Sequence, residues 1–401
     1  MKRQQISRRK ALGGLAALAA APGNANRVWA APEEPISAGV LTEATGGHLR
    51  SYLQGFANAR GVKRVAVSDP TGKMFDQAKM ILGDRLAGLY RSHQEMLRAA
   101  RPKLVVVTLE GHHSPPAIRM ALEAGSHVIT EKPGCARLED FEPLPPLAQS
   151  QGRELMLAMS TRVSQAVQRA RELIRKGYLG KPYSATMDWI ADQTRLTRPE
   201  YHGHWVASKA KAGGGKLIYH GIHYLDVLQY LTGDRIDRIS ALCENVGGQP
   251  IDVEDAAVVT FRMRGGLVGT LNAGYYLDRF YQNQIRLWGS KGWMHLDLPS
   301  GEPLKWYSTH PDAPRGVQLF YYQDDPNLYG TLIQAAVDFA RGQAPPPMTA
   351  EECLHLMRVI FAGYRSAETG RTQDLGATFL SPKRGGRGDG VHSTLASNHI
   401  A

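Results

Sequence analysis

Cysteine is scarce in this chain: Cys135, Cys243 and Cys353 are the only three in 401 residues. So few thiols cannot staple a fold of this length, and stability has to come from packed cores. One pair could close in an oxidising compartment, but buried free thiols suit the count better. Long apolar runs are missing too. The Ala- and Gly-rich stretch from Ala11 to Ala21 is too short to cross a bilayer. Basic blocks are absent from the body of the chain. Lys2, Arg3, Arg8, Arg9, Lys10 and Arg27 alone carry more than half of the formal charge of +11. Without a basic block or an aromatic-interleaved stripe, nucleic acid is not an expected partner. His202 and His204 alternate with no further placed ligands, so no metal is expected. No internal repeat is visible.

What is present begins with a processing signal. The first thirty residues run from a basic start containing Ser7-Arg8-Arg9, through the short apolar stretch, to small residues around Val28-Trp29-Ala30. That order is the grammar of a signal peptide, and the adjacent arginines read as a twin-arginine export signal. Residues 1–30 are therefore expected to engage the twin-arginine machinery and send the protein to the periplasm or beyond.

The remaining length suggests two domains. ISAGVL, KRVAVS, KLVVVT, SHVIT and ELMLAM are short β-rich runs alternating with helical stretches, which predicts a doubly wound parallel sheet over 36–158. After the helix VSQAVQRARELIRKG the pattern turns to clustered strands. This predicts an α+β second domain, 159–375, with an open, mostly antiparallel sheet. Two late helices follow, LYGTLIQAAVDFARG and TAEECLHLMRVIFAGYRSAE, which are candidates to pack back on the first domain. The Pro- and Gly-rich stretch 299–327 reads as an irregular insertion, and 376–401 as a flexible tail. An open sheet leaves an uncovered face, which favours a homo-oligomer.

The densest chemical signal is SHVITEKPGCARLED. Glu131-Lys132-Pro133 ends an apolar strand, and proline holds the preceding lysine in an extended conformation. In an open α/β sheet that lysine would face a ligand crevice at the carboxyl ends of the strands. Thr108, His113, Ala121-Leu122, Ala124-Gly125, His127-Val128 and Glu131-Lys132-Pro133 stand in ordered register. Arg162, GKPYSATMDW, KAGGGKLIYHGIHYLDVLQYLTGD, VEDAAVVTFRMRGGLVGTL and LWGSKGWMHL continue the pattern. The set resembles the glucose-fructose oxidoreductase, inositol dehydrogenase and MocA (Gfo/Idh/MocA) family. The resemblance implies a Rossmann-type first domain that binds NAD(P), with Thr108, His113, Glu131 and Lys132 beside the cofactor. It also implies a carbohydrate-like substrate.

The chain departs from a dinucleotide fingerprint at its first strand-to-helix turn, GVLTEATGGHL. Thr42 and Ala44 stand where the first two glycines would be, and Leu109 and Glu110 replace a Pro-Asn. Gly46 and Gly47 remain to let the backbone bend, and the Thr42 and Thr45 hydroxyls could replace an amide contact. The acidic residue expected about 20 positions onward is Asp69. A carboxylate there accepts a ribose diol and repels a 2′-phosphate, which favours NAD over NADP.

The catalytic half is expected from GGGKLIYHGIHYLDVLQYL. In the family a histidine at the position of His223 lies across the nicotinamide from the lysine. An aspartate four residues earlier is replaced here by Tyr219, which is expected to take over part of its catalytic work beside His223. Oxidising a secondary alcohol needs a base near ambient pH; His223 would qualify unadjusted, and Lys132 if its pKa were lowered. Arg162, Tyr201, His204, Trp205 and the adjacent His220 are candidates to bind the substrate.

Three functional readings remain open. The first is hydride transfer between NAD and a sugar, polyol or related hydroxylated ring. The second is a redox-neutral hydrolase or lyase that oxidises a ring carbon transiently, similar to exported NAD-dependent glycosidases of this family. The third is a carbohydrate-binding relative that has lost its cofactor.

Overall fold

The computed structural model describes residues 34–298 and 302–376, so the inferred signal and nearly all of the tail lie outside the described residues. The first domain alternates β1 (Ile36–Thr42), α1 (Leu49–Asn58), β2 (Val62–Ser68), α2 (Phe75–Leu82), β3 (Leu86–Tyr90), α3 (His93–Ala100), β4 (Leu104–Thr108), α4 (Ser114–Glu123) and β5 (His127–Thr130). Short helices α5 (Leu138–Phe141) and α6 (Leu144–Ser150) then lead to β6 (Leu155–Leu157). The strands pair in parallel in the order β3-β2-β1-β4-β5-β6. Chain direction switches between β1 and β4, and a sheet of this kind binds ligands outside the carboxyl ends at that switch. Strand β4 shows why the sheet is central. Leu104 and Val106 enter one core while Val105 and Val107 enter the other, all fully buried. The edge strand β3, LAGLY, gives no such signal because none of its residues is fully covered.

The second domain opens with α7 (Gln165–Arg175) and β7 (Pro182–Asp192). A connecting segment carries α8 (Pro199–His202) and α9 (Lys209–Ala212), and a π-helical turn at Leu217–Gly221 leads into α10 (Ile222–Thr232). Strands β8 (Ile236–Glu244), β9 (Ala256–Met263), β10 (Val268–Leu277), β11 (Gln282–Gly289) and β12 (Gly292–Asp297) follow. Next come β13 (Leu304–Ser308), β14 (Gln318–Phe320), α11 (Leu328–Ala340), α12 (Ala350–Thr369) and β15 (Gln373–Asp374). The nine-stranded sheet runs β14-β13-β12-β11-β7-β10-β9-β8-β15 and is antiparallel except between β7 and β10. The stretch read as an irregular insertion therefore supplies the last two strands at one end of the sheet, with β14 at its edge. Its Pro and Gly residues fall outside the two strands, before, between and after them, and they masked the alternation of LKWYS, with Leu304, Trp306 and Ser308 buried.

Helix α11 packs against α1, and its Leu332, Ile333, Ala336 and Val337 complete the core on that face of the parallel sheet. The helices cross closely at two glycines: a Cβ on Gly55 would come within 3.0 Å of the Gly330 Cα. Helix α12 starts in a capping box, Thr349 with Glu352, and lies against α6 and β6 of the first domain and β8 of the second. All three cysteines are free thiols, with Cys135 and Cys353 buried.

Candidate active site

The β1–α1 turn is built for close approach. A Cβ on Gly46 would overlap the carbonyl oxygen of Thr108, whereas one on Gly47 would make ordinary contact with Glu131 at 3.4 Å. The Thr108 hydroxyl donates to the Gly47 carbonyl at 2.5 Å, tying the loop to the end of β4. His48 follows in the left-handed region (φ 53°) and leaves the N-terminus of α1 with neither a side-chain cap nor an acid in its first turn. Free amides at a helix N-terminus beside a topological switch suit a pyrophosphate. The loop also carries acids. The Glu43 carboxylate accepts from the Glu110 amide at 2.6 Å and meets His113 Nδ1 at 3.0 Å, and Thr45 donates to Glu110 at 2.8 Å. The residues present thus fit a dinucleotide through backbone amides. The hydroxyls proposed to substitute for glycine amides are engaged elsewhere: Thr42 is buried and bonds the Glu43 carbonyl at 3.3 Å. Gly46→Ala should displace this loop and weaken NAD binding at least tenfold, with a stability cost of about 1–3 kcal/mol. A fluorescence titration paired with a melting curve checks both numbers.

Asp69 ends β2, but its carboxylate does not project freely. It accepts from the Thr71 amide and the Met74 amide, each at 2.9 Å, and from the Thr71 hydroxyl, so it caps the turn into α2. Burial opposes its charge, yet the amides of Met74 and Thr71 outweigh burial and hold the carboxyl below the usual range. The group stays anionic at neutral pH. Any discrimination against a 2′-phosphate would then act through charge.

Around Lys132 the two domains meet. The Lys132–Pro133 peptide bond is cis. Buried Glu131 accepts from Tyr52 Oη at 2.5 Å and lies 3.0 Å from His48 Nδ1, whose ring stacks on Tyr329. Burial works against that carboxylate, but His48, Lys132 and Tyr52 together lower its pKa. Lys132 Nζ sits 4.0 Å from Glu131, donates to the Tyr219 carbonyl at 3.2 Å, and lies 4.6 Å from the centre of the Tyr219 ring. Burial lowers its pKa, Glu131 offsets part of that, and Arg195 lowers it further.

The π-helical turn before α10 determines what faces Lys132. Gly213 takes φ 85°, and a Cβ on Gly215 would overlap the Glu254 carbonyl. The Glu254 carboxylate then binds the amides of Gly215 and Leu217 at 2.7 and 2.9 Å, closing the turn's open end. π turns of this kind recur at functional sites. The turn brings Lys216, Tyr219, His220 and His223 to the same side, beside Trp189 and Tyr275. His223 differs from its expected role as an unadjusted base. Burial, with Lys132 adding repulsion, depresses its pKa to about 3, and its Nδ1 has no partner among the described residues. Tyr219 does not hold His223 either. Its hydroxyl is unpartnered, while its carbonyl and ring serve Lys132. His220 is held well below its usual pKa by burial and then by Lys216, with its Nδ1 3.4 Å from the Tyr275 hydroxyl.

Arg162 is not part of the pocket surface. Its guanidinium is buried and forked onto Asp226 at 2.8 and 2.6 Å, and it also donates to Glu352 and the Pro347 carbonyl. Burial disfavours the charge, but Asp226 more than compensates and keeps the arginine protonated. Read as a substrate ligand from sequence, it is a strut joining the start of the second domain to α10 and α12. His204 is also used locally, its Nδ1 accepting from the Val206 amide at 3.4 Å. His202 Nε2 meets the Leu196 carbonyl at 2.6 Å. Trp205 does reach the crevice: its indole N–H donates to the Thr45 carbonyl at 3.3 Å, and its ring lies 5.8 Å from Tyr219. The Lys211 carbonyl accepts from the His112 amide at 3.1 Å, so the 205–212 segment straps the second domain across the glycine turn. Tyr201 lies by Arg195, whose guanidinium is 5.7 Å from its ring centre. Glu110, His112 and His113 bring one ligand atom each within 4.8 Å of one another, though His113 is already paired with Glu43.

Lys216, Arg195, Tyr275 and Trp189 were missed in sequence. For Lys216 a signal existed, a lysine directly after three glycines at a position flanked by apolar residues. Trp189 ends the quoted run GKPYSATMDW without standing out in it, and Arg195 and Tyr275 lie outside every quoted motif.

Residues 44–159 match the model of an oxidoreductase family with an NAD-binding Rossmann fold, and 167–295 match the Gfo/Idh/MocA C-terminal domain. D-Glucoside 3-dehydrogenase of Escherichia coli (strain K12) is 26% identical over 306 residues, covering 72% of this chain and 84% of that enzyme. The 1,5-anhydro-D-fructose reductase of Ensifer adhaerens is 24% identical over 256 residues, covering 64% of this chain and 74% of that one. An oxidoreductase domain protein from Kribbella flavida superposes with a TM-score of 0.78 at 22% identity, over 86% of this chain and all 100% of that one. Levoglucosan dehydrogenase in complex with NADH and levoglucosan gives 0.75 at 18% identity, over 85% of this chain and 99% of that one. Matched across the nucleotide domain and into the sheet that faces it, the chain belongs to the Gfo/Idh/MocA oxidoreductases and is an NAD-dependent enzyme.

Proposed function

We propose that this protein is an exported dehydrogenase acting on a secondary hydroxyl of a sugar, polyol or related ring, with Lys132 as the proton acceptor. The observation that carries the reading is the placement of Lys132 Nζ. It is buried at the carboxyl end of β5, steered by Glu131 and the Tyr219 carbonyl, with its pKa already pulled down. Bound NAD supplies the hydride acceptor. Lys132 takes the hydroxyl proton, and Glu131 stabilises the ammonium that results. His223, neutral at working pH, orients the hydroxyl by hydrogen bonding. Trp205 and the 205–212 strap exclude water from the crevice. The charge on Asp69 favours NAD over NADP.

The strap also supports a second reading. A covered glycine turn suits an enzyme that retains its NAD, and an exported enzyme has no ready pool from which to replace it. Such an enzyme would restore NAD on each turnover and end in bond cleavage or exchange. Incubating the purified protein with a panel of glycosides and polyols, without added NAD, tests both. NADH accumulation supports net oxidation, released aglycone with unchanged cofactor supports the redox-neutral route, and neither product from any substrate refutes both.

Export itself rests on the twin-arginine pattern in residues 1–30. The outer face of the second sheet exposes Leu242 and Val258, and Val268 at the wall of a depression of about 430 Å3; pairing of copies through this face accounts for the exposure. Light scattering should then give at least a dimer at micromolar concentration.

A further inference from the structure

Lys216 is completely buried, and its Nζ has no hydrogen-bond partner among the described residues. A buried amine without a partner is costly and calls for an explanation. Glu254, whose carbonyl accepts from the Lys216 amide, does not provide one, because both its carboxylate oxygens are taken by the Gly215 and Leu217 amides and the Tyr364 hydroxyl. Glu131, the other buried acid of the site, is bound by Tyr52 and His48. Lys216 Nζ lies instead 4.0 Å from the centre of the Tyr275 ring, whose hydroxyl is 3.4 Å from His220 Nδ1. Arg195, itself exposed, approaches the same tyrosine. It sits 5.6 Å from the ring centre and 3.5 Å from the hydroxyl, with Tyr201 beside it. Lys132 is close enough to both cations to repel them. Three basic groups converge here; Asp192 supports the charge on Arg195 from the same turn, but among the described residues no acid hydrogen-bonds the Lys216 amine.

We propose that Lys216 at the floor and Arg195 at the rim, with the Tyr201 and Tyr275 hydroxyls, form a subsite for a carboxylate carried by the substrate. This deepens the reading above, on which it rests, by narrowing the substrate to sugar acids such as uronates. Arg195 is open to solvent and offers a forked donor pair for a planar carboxylate; Lys216 offers a point charge below it.

The subsite has a protonic signature. Burial, then Arg195 and Lys132, push the Lys216 amine down to about 6, so it is mostly neutral at pH 7 when no anion is present. An arriving carboxylate raises that pKa, and the amine takes up a proton. Of the other titratable groups of the site, His220 is already held neutral and the phenols of Tyr201, Tyr219 and Tyr275 are all raised by burial, so none competes for that proton near neutrality.

Calorimetry on the NAD-loaded protein tests this with paired ligands, D-glucuronate against D-glucose and D-galacturonate against D-galactose, in buffers of different ionisation enthalpy. The expected result is that at least one acid binds about 10- to 100-fold tighter than its neutral parent, with net proton uptake at pH 7–8. Lys216→Met should reduce that ratio to about threefold and abolish the uptake, and Arg195→Gln, at an exposed position, should reduce the ratio alone. Equal binding of acid and parent, or an unchanged ratio in both variants, overturns the subsite; so does tighter binding of the corresponding sugar phosphate. NADH formation is read in the same mixtures. Acid-selective binding without turnover would sink the proposed reaction and leave the subsite standing, and turnover of neutral sugars alone would do the reverse.

Discussion

Lys132→Met should lower kcat by about 10²–10⁴-fold on the true substrate while leaving NAD affinity within a few-fold. Methionine keeps the volume and apolar stem of lysine, and it preserves packing against the Tyr219 ring, so the loss reads the proton acceptor rather than a collapsed wall. The pH profile supplies the control. A base works deprotonated, so oxidation should rise with pH through the pKa of Lys132. Burial places that limb below the usual lysine value. In Lys132→Met the limb should vanish. His223→Ala should cost less, because an imidazole with a pKa near 3 is a weak base and contributes only orientation. A His223 variant more damaging than Lys132→Met, with the alkaline limb intact in the latter, would reverse the two roles.

The largest effect on stability should come from Arg162→Ala. Removing the guanidinium strands Asp226, which is 1% exposed and has its carboxylate forked onto Arg162 at 2.6 and 2.8 Å. An uncompensated buried carboxylate typically costs about 3–5 kcal/mol. The double variant Arg162→Met with Asp226→Leu should recover most of that loss, since the pair's attraction is spent largely on its own desolvation. Denaturant titration of the two variants separates these outcomes. If Arg162→Ala leaves stability unchanged and raises KM alone, the arginine is a substrate ligand after all.

Much of the architecture was legible because burial on two faces leaves a strong trace. LVVVT and SHVIT could only be central parallel strands, and Glu131-Lys132-Pro133 had to end one of them at the crevice. The chemistry was less legible because it depends on which partner each polar group finds. Arg162 looked like a pocket donor, and nothing local to it announces Asp226, 64 positions away, as its partner. His223 carries an ordinary imidazole in sequence, and only its enclosure by Trp189 and Lys132 shows that it cannot take a proton readily. Lys216 is the converse case. Its position in an apolar run is visible, but that its amine ends without a partner is a property of the assembled walls.

The crossing of α1 with α11 bears on how the chain can be made. Nearly three hundred residues separate Gly55 from Gly330, yet Tyr52, Leu53 and Phe56 share one core with Leu332, Ile333 and Val337. As the polypeptide leaves the ribosome, the apolar side of α1 must wait, uncovered, until the sheet of the second domain has been synthesised. Vectorial folding, one domain finished before the next begins, is thus denied to this protein. A fragment ending near residue 158 should bind chaperones and aggregate rather than form a small soluble nucleotide module. Maturation becomes a single late event.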